Sequence, residues 1–227
     1  MKKLIIANWK LNPTTVKDAK KLASSIQKSR KNTVVLCPPT IYVTSVQYPN
    51  IGAQDCFWEE KGPFTGQTSP VQLKSLKIKY CIVGHSEKRQ YGETDGQINF
   101  KLRTLEQHGI APILCVGYGT TAEEDDLAVV DVLKNQLDQD LQGLDTSKVA
   151  VAYEPVWAIG TGKTPTPEHA EHISLYIKSR YKVAKVLYGG SVTVFNAKEF
   201  LHQPNIDGLL IGGDSLMPKH FNQIINF

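Results

Sequence analysis

No two cysteines in this 227-residue chain stand as a C-x-x-C pair. Cys37, Cys56, Cys81 and Cys115 are widely spaced, and three of them lie in apolar, strand-like runs. Reduced core thiols are therefore expected rather than a disulfide framework. The chain also lacks a Ser/Gly-rich linker and any low-complexity tract. With 41% apolar and 21% charged residues, it reads as a single α/β domain over residues 1–227, long enough for one large core. An excess of one charge is missing too. The formal net charge is only +4, with Lys and Arg scattered among acids, so nucleic-acid or membrane binding has no compositional support, although local positive potential can still attract an anionic substrate. The opening Met1-Lys-Lys-Leu-Ile-Ile-Ala7 mimics a signal peptide, but its apolar run stops at Asn8 and no small-residue cleavage site follows. It is read as a first strand, with an intracellular, cytoplasmic protein as the expectation.

What is present is a regular alternation. Short apolar runs at Leu4–Ala7, Val34–Cys37, Asn50–Gln54, Tyr80–Val83, Ile110–Val116, Val149–Ala152, Lys185–Tyr188 and Gly208–Ile211 alternate with amphipathic stretches. Helices are expected over 14–29, near Pro39, near 70–77, and over 95–108, 121–142, 167–180, 193–202 and 217–225. Strands apolar on both faces belong to a parallel sheet covered by helices. Eight such βα units suit a closed (β/α)8 barrel, with its site on the loops at the strands' C-terminal ends. A doubly wound open sheet is the alternative, supported by one fragment, Gly117-Tyr-Gly-Thr-Thr-Ala122, which follows a strand and opens a helix like a dinucleotide-binding turn. No acidic residue closes a neighbouring strand at the spacing such a turn requires.

The most informative stretch is Ala152-Tyr-Glu-Pro-Val-Trp-Ala-Ile-Gly-Thr-Gly-Lys163. Pro155 pushes Glu154 into an extended conformation and ends the strand there, leaving a carboxylate at its mouth. Val156-Trp-Ala-Ile159 is too apolar for a loop left permanently in water, and the glycines after it let backbone approach a ligand closely. That combination is read as a lid, beneath which a desolvated Glu154 becomes a better base. A P-loop reading of Gly160-Thr-Gly-Lys-Thr164 fails, because Trp157 stands where that motif needs glycine. Other strand mouths carry Asn8-Trp-Lys10, Gly84-His-Ser-Glu-Lys-Arg89, Gly189-Gly-Ser191 and Gly212-Gly-Asp214. Singly, Glu154 or Lys10 reads as a solvated rim charge, His85 as a structural histidine, and the glycine pairs as turns. Together they supply a base, an electrophile and a phosphate cradle, which describes proton abstraction beside a carbonyl in a small phosphorylated substrate.

At these segments, with Phe64-Thr-Gly66 as a further marker, the chain resembles the triosephosphate isomerase family over nearly its whole length. The resemblance implies Glu154 as the base and His85 as the neutral electrophile, the roles known for that family. It further implies Lys10 and Asn8 at the oxyanion, Glu87 orienting Lys10, and Gly160, Ser191, Gly212 and Gly213 holding the phosphate. A lid from Pro155 to about Thr164 would close over an enediolate. No cofactor and no metal are implied. Members assemble as homodimers, or as tetramers in some shorter members. This assigns Thr65 a place in the partner's site and puts Gln67 and Lys88, where the family usually has Glu and Arg, at the interface.

Other departures concern the lid and the phosphate. Tyr118 replaces a glutamate that helps hold the lid tryptophan. Pro165 stands where members present a backbone N–H to the strand-seven tyrosine, so Tyr188 is expected to lose that partner and lid latching to change. Asp214 puts an acid near a dianion and is expected to turn outward or cap a short helix. Two other function classes remain: a non-catalytic barrel kept as a binding module, and an isomerase acting on a larger sugar phosphate.

Overall fold

The computed structural model describes residues 2–122, 126–158 and 164–227. Its strands are β1 (Leu4–Asn8), β2 (Thr33–Cys37), β3 (Gly52–Ala53), β4 (Tyr80–Val83), β5 (Ala111–Val116), β6 (Ala150–Tyr153), β7 (Lys185–Tyr188) and β8 (Gly208–Ile211). They run parallel in the order β2-β1-β8-β7-β6-β5-β4-β3, and the ends of that row meet at a bridge between Leu36 and Ile51. A row of parallel strands whose ends touch is a barrel, so the doubly wound sheet, whose end strands stay apart, is excluded.

The strand runs look continuously apolar because alternate side chains serve two cores. Leu4 and Ile6 join Val35, Cys37, Ile82, Ile113, Ala152, Leu187 and Leu210 in a cluster drawn from strands, which fills the barrel. Ile5 and Ala7 join the larger cluster that includes Ala19, Ala23 and Phe221 from helices. All four cysteines are free and buried.

The described helices are α1 (Val16–Ser25), α2 (Pro70–Ser75), α3 (Ser86–Gln90), α4 (Asp95–His108), α5 (Asp126–Asp140), α6 (Pro167–Tyr181), α7 (Ala197–His202) and α8 (Pro218–Ile224). Ser69 and Thr94 form capping boxes with Gln72 and Gln97 at the starts of α2 and α4. Thr166 caps α6 ahead of Pro167. Among the described residues no helix is long and apolar enough to cross a membrane.

The helices depart from expectation in one place for a tertiary reason. The first helix stops at Ser25 instead of running to 29, because the next residues bond to the C-terminal tail. Gln27 N–H donates to Asn222 Oδ1 at 2.8 Å and Ser29 Oγ to the Ile225 carbonyl at 2.7 Å. The helix near Pro39 is one 3-10 turn, Thr40–Tyr42. The short α3 directly after β4 was not read from the sequence, and it carries part of the site.

Candidate active site

Lys10 follows β1 with φ at 50°, a left-handed conformation that costs a non-glycine residue energy unless its surroundings hold it. Two amides hold it. The Lys10 N–H donates to Asn8 Oδ1 at 3.0 Å, and Gln54 Nε2 donates to the Lys10 carbonyl at 2.8 Å and the Cys37 carbonyl at 2.9 Å. The ammonium is thereby aimed across the mouth, where Nζ lies 2.7 Å from Glu87 Oε1. Burial alone would push the Glu87 carboxyl up, but the Lys10 hydrogen bond and charge, with a smaller pull from His85, hold it below the usual carboxylate range.

His85 caps α3. Its Nδ1 accepts the Glu87 N–H at 3.2 Å, which leaves the ring's own hydrogen on Nε2. That Nε2 lies 3.3 Å from Glu154 Oε1. The turn carrying His85 is pinned by Arg89, whose buried guanidinium donates to the Gly84 carbonyl (2.9 Å), the Cys115 carbonyl (3.1 Å), Asp140 Oδ2 (2.6 Å) and Asp95. Glu154 directly follows β6 and is 2% exposed. Its Oε2 accepts the Ser86 N–H at 3.2 Å, and its own N–H donates to the Val116 carbonyl at 2.8 Å.

Glycines make room for that glutamate. A Cβ on Gly189 would stand 2.9 Å from Glu154 Cγ, and one on Gly117, at φ +112°, would overlap the Glu154 carbonyl. This accounts for the fragment that resembled a dinucleotide turn. Gly117 is the point where the loop after β5 passes the Glu154 backbone, and Gln136 of α5 folds that loop by accepting the Gly117 N–H and donating to the Tyr118 carbonyl.

The residues read from separate strand mouths come together on one cavity of about 300 Å³. Asn8, Lys10, His85 and Glu154 line one side, and Gly189 to Thr193 with Gly212 to Asp214 line the other. Around Gly213, nothing lies within 4 Å of where a Cβ would be. Gly160 and the residues to Lys163 lie outside the described residues. Just before them, Val156–Ala158 form a 3-10 turn, and Ser191 Oγ donates to the Ala158 carbonyl. Pro165 is buried, and Tyr188 Oη is buried with no hydrogen-bond partner among the described residues.

Asp214 belongs to the cavity lining and does not cap the 3-10 turn over Gly213–Leu216, which has no side-chain cap. Its Oδ2 instead accepts the Val194 N–H at 2.8 Å, a donor supplied by the loop after β7. Thr65 and Gln67 sit in a loop whose residues 59–67 are all exposed. Lys88, on α3, lies 2.9 Å from Asp55 Oδ2 of the same chain. Gln67 and Lys88 line a second cavity of about 420 Å³ that shares Asn8, Lys10 and His85 with the first. Among the described residues no group of three His, Cys, Asp or Glu side chains is placed to hold a metal ion.

Sequence reading missed two anchors. Arg89 was quoted only as part of its segment, and Gln54 only as the end of an apolar run. No local pattern marks Gln54, since its partners lie 44 and 17 residues away. No local pattern marks Arg89 either, since it stands in the polar run Ser86-Glu-Lys-Arg-Gln90 and its partners Cys115 and Asp140 lie 26 and 51 residues away.

Comparison with known proteins agrees with this geometry. The family model described as triosephosphate isomerase matches residues 3–227. The chain is 41% identical over 245 residues to a protein named triosephosphate isomerase from Thermoanaerobacter pseudethanolicus (strain ATCC 33223 / 39E), covering 99% of this chain and 98% of that one. It is 41% identical over 251 residues to the protein of that name from Clostridium novyi (strain NT), covering 100% and 99%. Against the one from Synechococcus sp. (strain JA-2-3B'a(2-13)) the identity is 39% over 241 residues, covering 99% and 96%. With the barrel, the converging mouth and a match along nearly its full length, this chain belongs to the triosephosphate isomerase family.

Proposed function

We propose that the chain interconverts dihydroxyacetone phosphate and D-glyceraldehyde 3-phosphate through an enediolate, as a cytoplasmic enzyme of glycolysis and gluconeogenesis. One observation carries the assignment of roles: a buried carboxylate and an imidazole N–H, 3.3 Å apart, face one small cavity walled on its far side by two glycine turns. Glu154 takes a proton from C1 of the ketone while His85 Nε2–H hydrogen-bonds the C2 carbonyl oxygen, and the electron pair of the broken C–H bond becomes the C1–C2 double bond. Proton transfer between the two oxygens, relayed by His85, followed by return of the proton from Glu154 to C2, gives the aldehyde. Lys10 and Asn8 stabilise the oxyanion, and Glu87 orients Lys10. The turns at Ser191 and Gly212–Gly213, with Gly160 of the lid, hold the phosphate through backbone donors. The lid from Pro155 to about Thr164 closes to keep water from the enediolate. Neither a cofactor nor a metal takes part.

A cavity of this volume suits a three-carbon substrate better than a longer sugar phosphate, and a module that only binds has no use for a base held at 2% exposure. The chain acts as a homodimer or tetramer, with the exposed loop around Thr65 and Gln67, together with Lys88, entering the contact. Light scattering across a dilution series tests that assembly. A coupled assay with dihydroxyacetone phosphate tests the reaction, and the same assay on Glu154→Gln tests the base. Isomerisation indifferent to that substitution removes Glu154 from the mechanism.

A further inference from the structure

We propose that Asp214 and His220 together set how tightly the site holds the substrate's phosphate, Asp214 as a negative charge on the phosphate wall and His220 as the group that offsets it. The proposal rests on reading the turns after β7 and β8 as the phosphate site. Asp214 follows Gly212 and Gly213 directly and lines the same cavity as they do, with its side chain 14% exposed. A carboxylate held on a residue of that wall opposes an incoming dianion through space, and low exposure reduces the screening water would provide.

The carboxylate is not free to swing away. Its Oδ2 accepts the Val194 N–H at 2.8 Å, which ties the loop after β7 to the turn after β8. Nδ1 of His220, on α8, lies 3.3 Å from the same oxygen. That nitrogen is buried and the approach is not aligned for a hydrogen bond, so the contact acts through charge. An imidazolium there offsets Asp214, and a neutral ring does not. The ring is seated by Phe195, edge-on with centroids 6.2 Å apart. Lysine is present on the cavity wall at Lys10, but its Nζ is committed to Glu87 at 2.7 Å. His220 is thus the group placed to offset Asp214 when its ring carries a proton, and the pair tunes affinity without touching the reacting carbons.

Steady-state kinetics with dihydroxyacetone phosphate, together with competitive inhibition by sulfate, test this. Sulfate stays dianionic and reports on the phosphate wall alone. Asp214→Asn keeps an oxygen for the Val194 N–H but removes the charge. KM and the sulfate inhibition constant should both fall by about fivefold, the order of a partly exposed ion pair, with kcat within about twofold. His220→Gln should raise both constants by a similar factor, and His220→Lys should return them toward the parent values. Because His220 acts through Asp214, the double variant Asp214→Asn/His220→Gln should match Asp214→Asn alone. Asp214→Asn constants that rise or stay put overturn the proposal, as does a His220→Gln effect that survives in the double variant. Sulfate that fails to compete with substrate in the parent enzyme overturns the phosphate-wall reading and the proposal with it, and so marks which of the two is at fault.

Discussion

The two sides of the mouth are made from different chemistry. On the side of β1, β4 and β6 the working groups are side chains, Asn8, Lys10, His85 and Glu154, each held by named partners: Gln54 behind Lys10, Arg89 behind the His85 turn, the Ser86 N–H on Glu154. On the side of β7 and β8 the working surface is backbone, and what matters is the absence of side chains at Gly189, Gly190, Gly212 and Gly213. One side depends on residue identity and the other, the Asp214 charge aside, on empty space. Changes of identity on the first side should lower the rate, whereas added volume on the second should alter stability or affinity.

The largest effect expected is on the first side. Glu154→Gln should lower kcat by about a thousandfold, the usual range for losing a positioned base, while sulfate inhibition stays within about twofold; a parallel loss of sulfate binding would mean the two sides are not separable. Next comes Gly190→Ala, whose new methyl would overlap Tyr188 Oη. Denaturant unfolding should show a loss of about 1–3 kcal/mol, partly relieved by adding Tyr188→Phe, since that removes an unpartnered hydroxyl and with it the worst contact, while leaving ring Cζ at 2.7 Å. A loss that Tyr188→Phe leaves untouched would place the strain elsewhere in the turn. Gln54→Leu frees the Lys10 carbonyl and should lower kcat/KM by about tenfold, in the range for a misplaced charged group, with KM for sulfate-competed substrate little changed.

Gly213→Ala, with open space around its Cβ position, sharpens the contrast within the second side: thermal unfolding should stay within about 0.5 kcal/mol of the parent, and KM should rise a few-fold. The smallest effect is one of pH. The Glu87 carboxyl is held below its usual range mainly by Lys10 acting against burial, so the stability it contributes is present above the unfolded-state value of about 4 and is lost as pH falls through the lower folded value. In Glu87→Gln, stability should therefore fall less steeply below about pH 4 than in the parent, as measured by chemical unfolding across that range.

Much of this was legible before any coordinates. The eight strands are short, doubly buried runs whose pattern survives in one dimension, and the strand-end residues stand directly after them. The segment from Ala152 to Lys163 announces itself through proline, glycine and misplaced apolar residues. What was misread involved partners far away in sequence. Ser29 and Gln27 leave α1 for the C-terminal tail, and Asp214 takes a donor from the loop after β7.

The succession of strands along the chain, their buried faces, and the carboxylate, imidazole and glycine turns at their mouths were determined by the sequence, because strand periodicity and backbone permissiveness are local properties. Which oxygen of Glu154 faces His85, what holds Lys10 at a positive φ, and where the Asp214 carboxylate rests were decided only by closure of the barrel. That closure brings residues dozens of positions apart within hydrogen-bonding distance, and no pattern along the chain encodes such distances.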